Sequence, residues 1–156
     1  MRKNIVPLCA GMLVLSLSFV SGALGAVSDA TFLELCGTGT PKEVRAALAG
    51  GADVNLFDEN DSTLLMTAAE RNPNPEVVTV LAEVGADIHA RTRTGWTALF
   101  YAARFTSHPE VVVALLQAGA DAALVDNRGE RAVDVARRNK RLKNTEALQK
   151  LGNVSQ

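Results

Sequence analysis

His89 and His108 are the only imidazoles in the chain, and Cys36 is its one cysteine beyond the first ten residues. Groups of this kind do chemistry when they converge. Two histidines hold a metal with a third ligand, a cysteine beside a base becomes a nucleophile, and the stretch "GTGTPK" (37–42) has the glycines and lysine of a phosphate-binding loop. None of these features has the company it needs. His89 closes the phrase "GADIH" and is expected to be a turn side chain bonded to nearby backbone. His108 precedes Pro109 and is expected to be solvated, and nothing in the spacing brings the two to one metal or substrate. "GTGTPK" follows no strand. Cys36 aligns with Ala69 and Ala103, which marks a small buried slot and an inert thiol. The chain is therefore expected to have no catalytic residue, no cofactor and no metal, and to act through its surface.

What positions that surface is written as a repeat. "GADVN", "GADIH" and "GADAA" begin at Gly51, Gly85 and Gly119, at intervals of 34 residues. Other positions keep step. Thr63 matches Thr97, Leu65 matches Leu99, Ala68 and Ala69 match Ala102 and Ala103, and Glu76-Val77-Val78 matches Glu110-Val111-Val112. A shared offset at so many positions signals a stacked array of like units. Leu99, Ala102 and Ala103 recur at three and four residues, the period of one helix face. Pro109 stands where a second helix would start, and Gly119 where it would end. Thr97, after Gly95, is placed to cap the first helix. One such helix pair has more apolar face than it can bury alone, and stacking supplies the missing partner.

"GWTALFYAAR" and "GADVN" resemble the ankyrin repeat, whose pattern runs roughly G-x-T-P-L-H-x-A-A, then a second helix, then G-A-D-V-N. Leu64 and Ala98 stand where that pattern has proline, and Met66 and Phe100 where it has histidine. "RNPNPEVV" and "FTSHPEVV" each carry one extra residue, which predicts a longer loop between helices. The ends degrade into caps, with Phe32 in the leucine slot in front and Val133, Val135, Ala136, Ala147, Leu148 and Leu151 kept behind. The resemblance implies an all-α ankyrin-repeat solenoid of about four helix-turn-helix units with short β-turn or hairpin connections, at about 27–55, 56–89, 90–123 and 124–152.

The first residues read differently. Arg2 and Lys3 precede an uncharged apolar run and then small residues, with cleavage expected after Gly25 or Ala26. Residues 1–26 are thus expected to be a secretory signal peptide, and 27–156 a periplasmic or secreted repeat domain. The alternative is a retained N-terminal membrane anchor, since no charge follows Lys3 before Asp29. "VPL" before Cys9 does not form a lipoprotein box. With Cys36 alone, the mature part makes no intrachain disulfide and must rely on packing.

In ankyrin-like proteins the turns and first helices form the binding face. That assigns partner contact to Phe57, Arg91, Arg93, Trp96, Arg104 and Phe105, with the single tryptophan exposed at a turn slot. The net charge of −1 gives no polyelectrolyte signal, and export removes the chain from nucleic acid. Charge is uneven, however. Residues 27–90 hold 3 basic and 11 acidic side chains, 91–126 hold 3 of each, and 127–156 hold 8 and 3. The expected function is non-enzymatic binding of another protein by a monomer. The resemblance permits an inhibitor or immunity protein, or a helper of a periplasmic enzyme. The alternative is an adaptor that uses the basic run "RRNKRLKN" on an anionic membrane surface.

Overall fold

Prolines and threonines punctuate eight helices in the computed structural model, which describes residues 28–58 and 60–154. The expected signal segment lies outside the described residues. The helices are α1 (Asp29–Thr38), α2 (Pro41–Ala49), α3 (Leu64–Arg71), α4 (Pro75–Glu83), α5 (Ala98–Phe105), α6 (Pro109–Gln117), α7 (Ala132–Ala136) and α8 (Glu146–Val154). Pro41, Pro75 and Pro109 each open an even-numbered helix, where the missing N–H is no loss. Thr40 and Glu43 form a reciprocal capping box, and the Thr63 hydroxyl accepts the Met66 N–H. Thr97 departs from expectation. It stands at the α5 N-cap, but its hydroxyl makes no capping bond. Its carbonyl closes the turn instead, accepting from the Phe100 and Tyr101 N–H groups.

Gly51, Gly85 and Gly119 follow the even helices at φ of 91°, 95° and 99°. This left-handed step ends each helix at little cost only for glycine, which explains why the phrase recurs.

The helices form two layers. α1, α3, α5 and α7 pack in succession in one, and α2, α4, α6 and α8 in the other. Each odd helix also packs on the even helix that follows it. The array is therefore an all-α repeat solenoid. Phe32, Leu65, Leu99 and Val133 fill one row of its core, each 1% exposed or less. Cys36, Ala69 and Ala103 fill another row with no exposure. Burial pushes the Cys36 thiol up to about 12, so it stays protonated and inert at neutral pH.

The connections within units differ by one residue, as the inserted residues predict: 39–40 in the first, 72–74 and 106–108 in the next two. The longer loop starts with a device that sequence spacing did not reveal. The buried Asn72 amide donates to the Cys36 and Gly39 carbonyls of the preceding unit, at 2.9 and 3.0 Å, while its oxygen accepts the Asn74 N–H. Asn139 does the same between the last two units. It donates to the Ala103 and Thr106 carbonyls at 3.2 and 3.1 Å and accepts from the Arg141 N–H. Each amide satisfies two carbonyls at a helix end.

Candidate functional site

The loops between units are built on one five-residue turn, used at 58–62, 92–96 and 126–130. In each, the first N–H donates to the fifth carbonyl at 2.9 Å. The fourth residue is left-handed: Asp61 (φ 60°), Gly95 (84°) and Gly129 (77°). The first side chain ties the turn from within. Asp58 and Asp126 each accept two backbone N–H groups, and Thr92 accepts the Trp96 N–H. Single antiparallel bridges, Phe57 to Thr63 and Val125 to Arg131, flank two of these turns.

Successive turns lie against each other. The Asn127 N–H donates to the Thr94 carbonyl at 3.1 Å, and its side-chain amide to the Arg93 carbonyl at 2.8 Å. The Arg93 guanidinium reaches back to the Asp61 carboxylate at 2.6 Å. A β-carbon at Gly95 would lie 2.7 Å from the Asn127 oxygen and 3.0 Å from its backbone nitrogen, so this glycine is needed both for its φ and for the close approach.

Trp96 does not project freely from its turn, as its position in the sequence suggested. It is half-buried. Its ring stacks on Phe100 with centroids 6.0 Å apart, meets Tyr101 edge-on at 5.5 Å and tilts against Phe105 at 6.1 Å. Its indole N–H donates to Asp126 at 3.1 Å. The cause is the stacking of turns: the next turn brings a buried carboxylate within reach of the indole. The Tyr101 hydroxyl shares a hydrogen bond with Ser62 at 3.1 Å, joining the cluster to the preceding turn.

This cluster opens onto a groove of about 680 Å³ lined by turns and odd-numbered helices only. Of the six residues assigned to partner contact, Arg93, Trp96, Arg104 and Phe105 line it. Phe57 and Arg91 do not. Phe57 is exposed and is itself a member of the first bridge, and Arg91 donates to the Val125 carbonyl, which fixes it along the turn stack. Tyr101, Asp126 and Val135 line the groove and were not anticipated. Tyr101 aligns with Thr67 and Val135, so the repeat gave no aromatic signal there, although its spacing from Phe105 is that of one helix face. Among the rim cations, Arg93 pairs with Asp61 and Arg138 with Glu130. Arg104 lies 5.5 Å from the Phe105 ring centroid and pairs with no described carboxylate.

Burial pushes the Asp126 carboxyl up. The Glu130 and Arg128 N–H groups, the Trp96 indole and the Arg128 charge outweigh that, and its pKa falls below the ordinary 3.8. A folded value below the unfolded one gives stability that is present above the unfolded pKa. It is lost as pH falls from about 3.8 through the lowered value. At neutral pH, Asp126→Asn should therefore melt below wild type, and the gap should close below about pH 4. Thermal melts from pH 2 to pH 7 check this, and a gap independent of pH would contradict it.

The other chemistry-bearing residues stay apart. His89 and His108 are exposed. The bond expected of the His89 side chain is made by Asp87, whose carboxylate accepts the His89 N–H at 2.9 Å. Among the described residues no three His, Cys, Asp or Glu side chains could hold a metal, and no helix is long and apolar enough to cross a membrane. The basic run turns much of its charge to the fold: Arg137 pairs with Asp134, Arg138 with Glu130, and Arg141 donates to Ser107.

A family model described as ankyrin repeats (3 copies) matches residues 33–126 and 66–153. No curated protein matches the chain.

Proposed function

Because the chain belongs to the ankyrin-repeat family, whose repeats typically mediate binding to other proteins, we propose that it is an exported binding module that grips a protein partner in the groove built on Trp96, Tyr101 and Phe105. The observation that carries this reading is the groove itself. It gathers three aromatic rings, with Trp96 and Tyr101 half-buried and Phe105 exposed, on the face formed by turns and first helices. Aromatic area beside guanidinium groups is the composition of interface hot spots. The family's members are typically non-enzymatic, and the module is read as binding without chemistry of its own. In the cell envelope its work would be to inhibit a toxic enzyme or to support a resident one.

Trp96 is the only tryptophan, so its emission reports on the groove alone. Partner binding should shift that emission to the blue as water leaves the half-exposed ring. Unchanged emission at saturation would place the contact elsewhere. Export rests on Arg2, Lys3 and the apolar run after them. Mass spectrometry of the mature protein should find its N-terminus at Ala26 or Val27, and an intact Met1 in a cytoplasmic fraction would refute it.

A further inference from the structure

The groove has a chemical preference as well as a shape. The hydrogen-bonding atoms of its rings are already engaged: the Trp96 N–H with Asp126 and the Tyr101 hydroxyl with Ser62. An occupant therefore meets ring faces and area, and an apolar side chain suits them. Of the four arginines that line the groove, two are held by ion pairs and Arg128 lends its charge to Asp126. Arg93 and Arg138 have carboxylate partners, whereas Arg104 lies against Phe105 with none among the described residues. A guanidinium beside an apolar surface is a strong site for a carboxylate, which it can hold through two parallel N–H bonds.

The long-range field agrees. Glu70, Arg104 and Arg138 occupy the same slot in successive units, and all three line the groove. The chain is net −8 over residues 27–90 and net +5 over residues 127–156. An acidic segment is thus repelled from the first units and drawn towards the last, which adjoins the neutral third unit where the rings lie. A basic segment meets Arg104, and the one groove carboxylate neither ion-paired nor hydrogen-bonded among the described residues is Glu70, at the end towards the acidic units.

Resting on the reading of this groove as the binding site, we propose that its partner presents an acidic segment with an apolar anchor, the anchor seated on Trp96, Tyr101 and Phe105 and an adjacent carboxylate on Arg104. The test is selection of a displayed random peptide library on the purified full chain, with each selected peptide then measured on Phe105→Ala and Arg104→Glu. The expected result is peptides that need Phe105, carry Asp or Glu next to a Leu, Met or aromatic residue, and weaken about tenfold or more on Arg104→Glu. Selection repeated on Arg104→Glu should turn the flanking preference to Lys or Arg. Peptides that need Phe105 but show no acidic preference, or keep it on Arg104→Glu, would overturn the inference and leave the groove as the binding site. Peptides indifferent to Phe105→Ala would overturn both.

Discussion

Leu99→Ala should destabilise the protein by roughly 2–5 kcal/mol, the range for emptying a buried leucine site. Leu99 is 1% exposed and sits mid-row between Leu65 and Val133. Its helix, α5, packs on α3, on α7 and on its own partner α6. One turn on, the same helix face carries Ala102 and Ala103, which have no rotamers with which to fill the space. The array makes the position more costly still. A solenoid's stability is close to a sum of unit and nearest-neighbour terms, so loss at a central helix weakens the interfaces on both sides. A small domain has about 5–15 kcal/mol in total, so the upper end of the expected range would remove most of a stability near the lower limit. Urea unfolding followed by far-ultraviolet circular dichroism should show a much lower midpoint. A midpoint unchanged from wild type would mean that this leucine is not in the core and that the repeat register is wrong.

The fold was legible because each unit repeats its punctuation. Proline at a helix start, glycine at a helix end and the leucine and alanine slots recur at 34 residues, and a feature seen twice or more identifies itself. The site was legible only in part, because its parts do not repeat. Trp96 aligns with Ser62 and Glu130, Tyr101 with Thr67 and Val135, and Phe105 with Arg71 and Asn139. The alignment placed Trp96, Phe105, Arg93 and Arg104 on the face that forms the groove. It could not place Asp126 beneath the indole, because that contact depends on how closely one turn lies on the next. The Asn127 bonds to Thr94 and Arg93, and the absence of a side chain at Gly95, set that distance. Asn72 and Asn139 escaped notice for the same reason: their partners are carbonyls of the preceding unit, which no pattern of side chains records. Turn position alone groups Phe57 and Arg91 with the cluster, but neither lines the groove, and Arg91 is held along the turn stack.

The second large effect concerns affinity. Phe105 is 43% exposed at the end of α5, with its ring 6.1 Å from Trp96 and 6.2 Å from Tyr101. Its open face belongs to the groove, so a partner that fills the groove buries it. Truncating such an aromatic anchor costs about 2 kcal/mol or more of binding energy, roughly a thirtyfold loss. Because the ring is half-exposed in the free chain, its removal should cost the fold far less than removal of Leu99. Trp96→Ala would not separate the two effects, since the indole also holds Asp126. Gln117 supplies the control: it is exposed on α6, in the other helix layer, and lines a separate groove. The decisive measurement is calorimetric titration of the partner into wild type, Phe105→Ala and Gln117→Ala. Binding through the turn-and-first-helix groove predicts about thirtyfold weaker affinity for Phe105→Ala and wild-type affinity for Gln117→Ala. Full affinity in Phe105→Ala, with binding lost in Gln117→Ala, would contradict it.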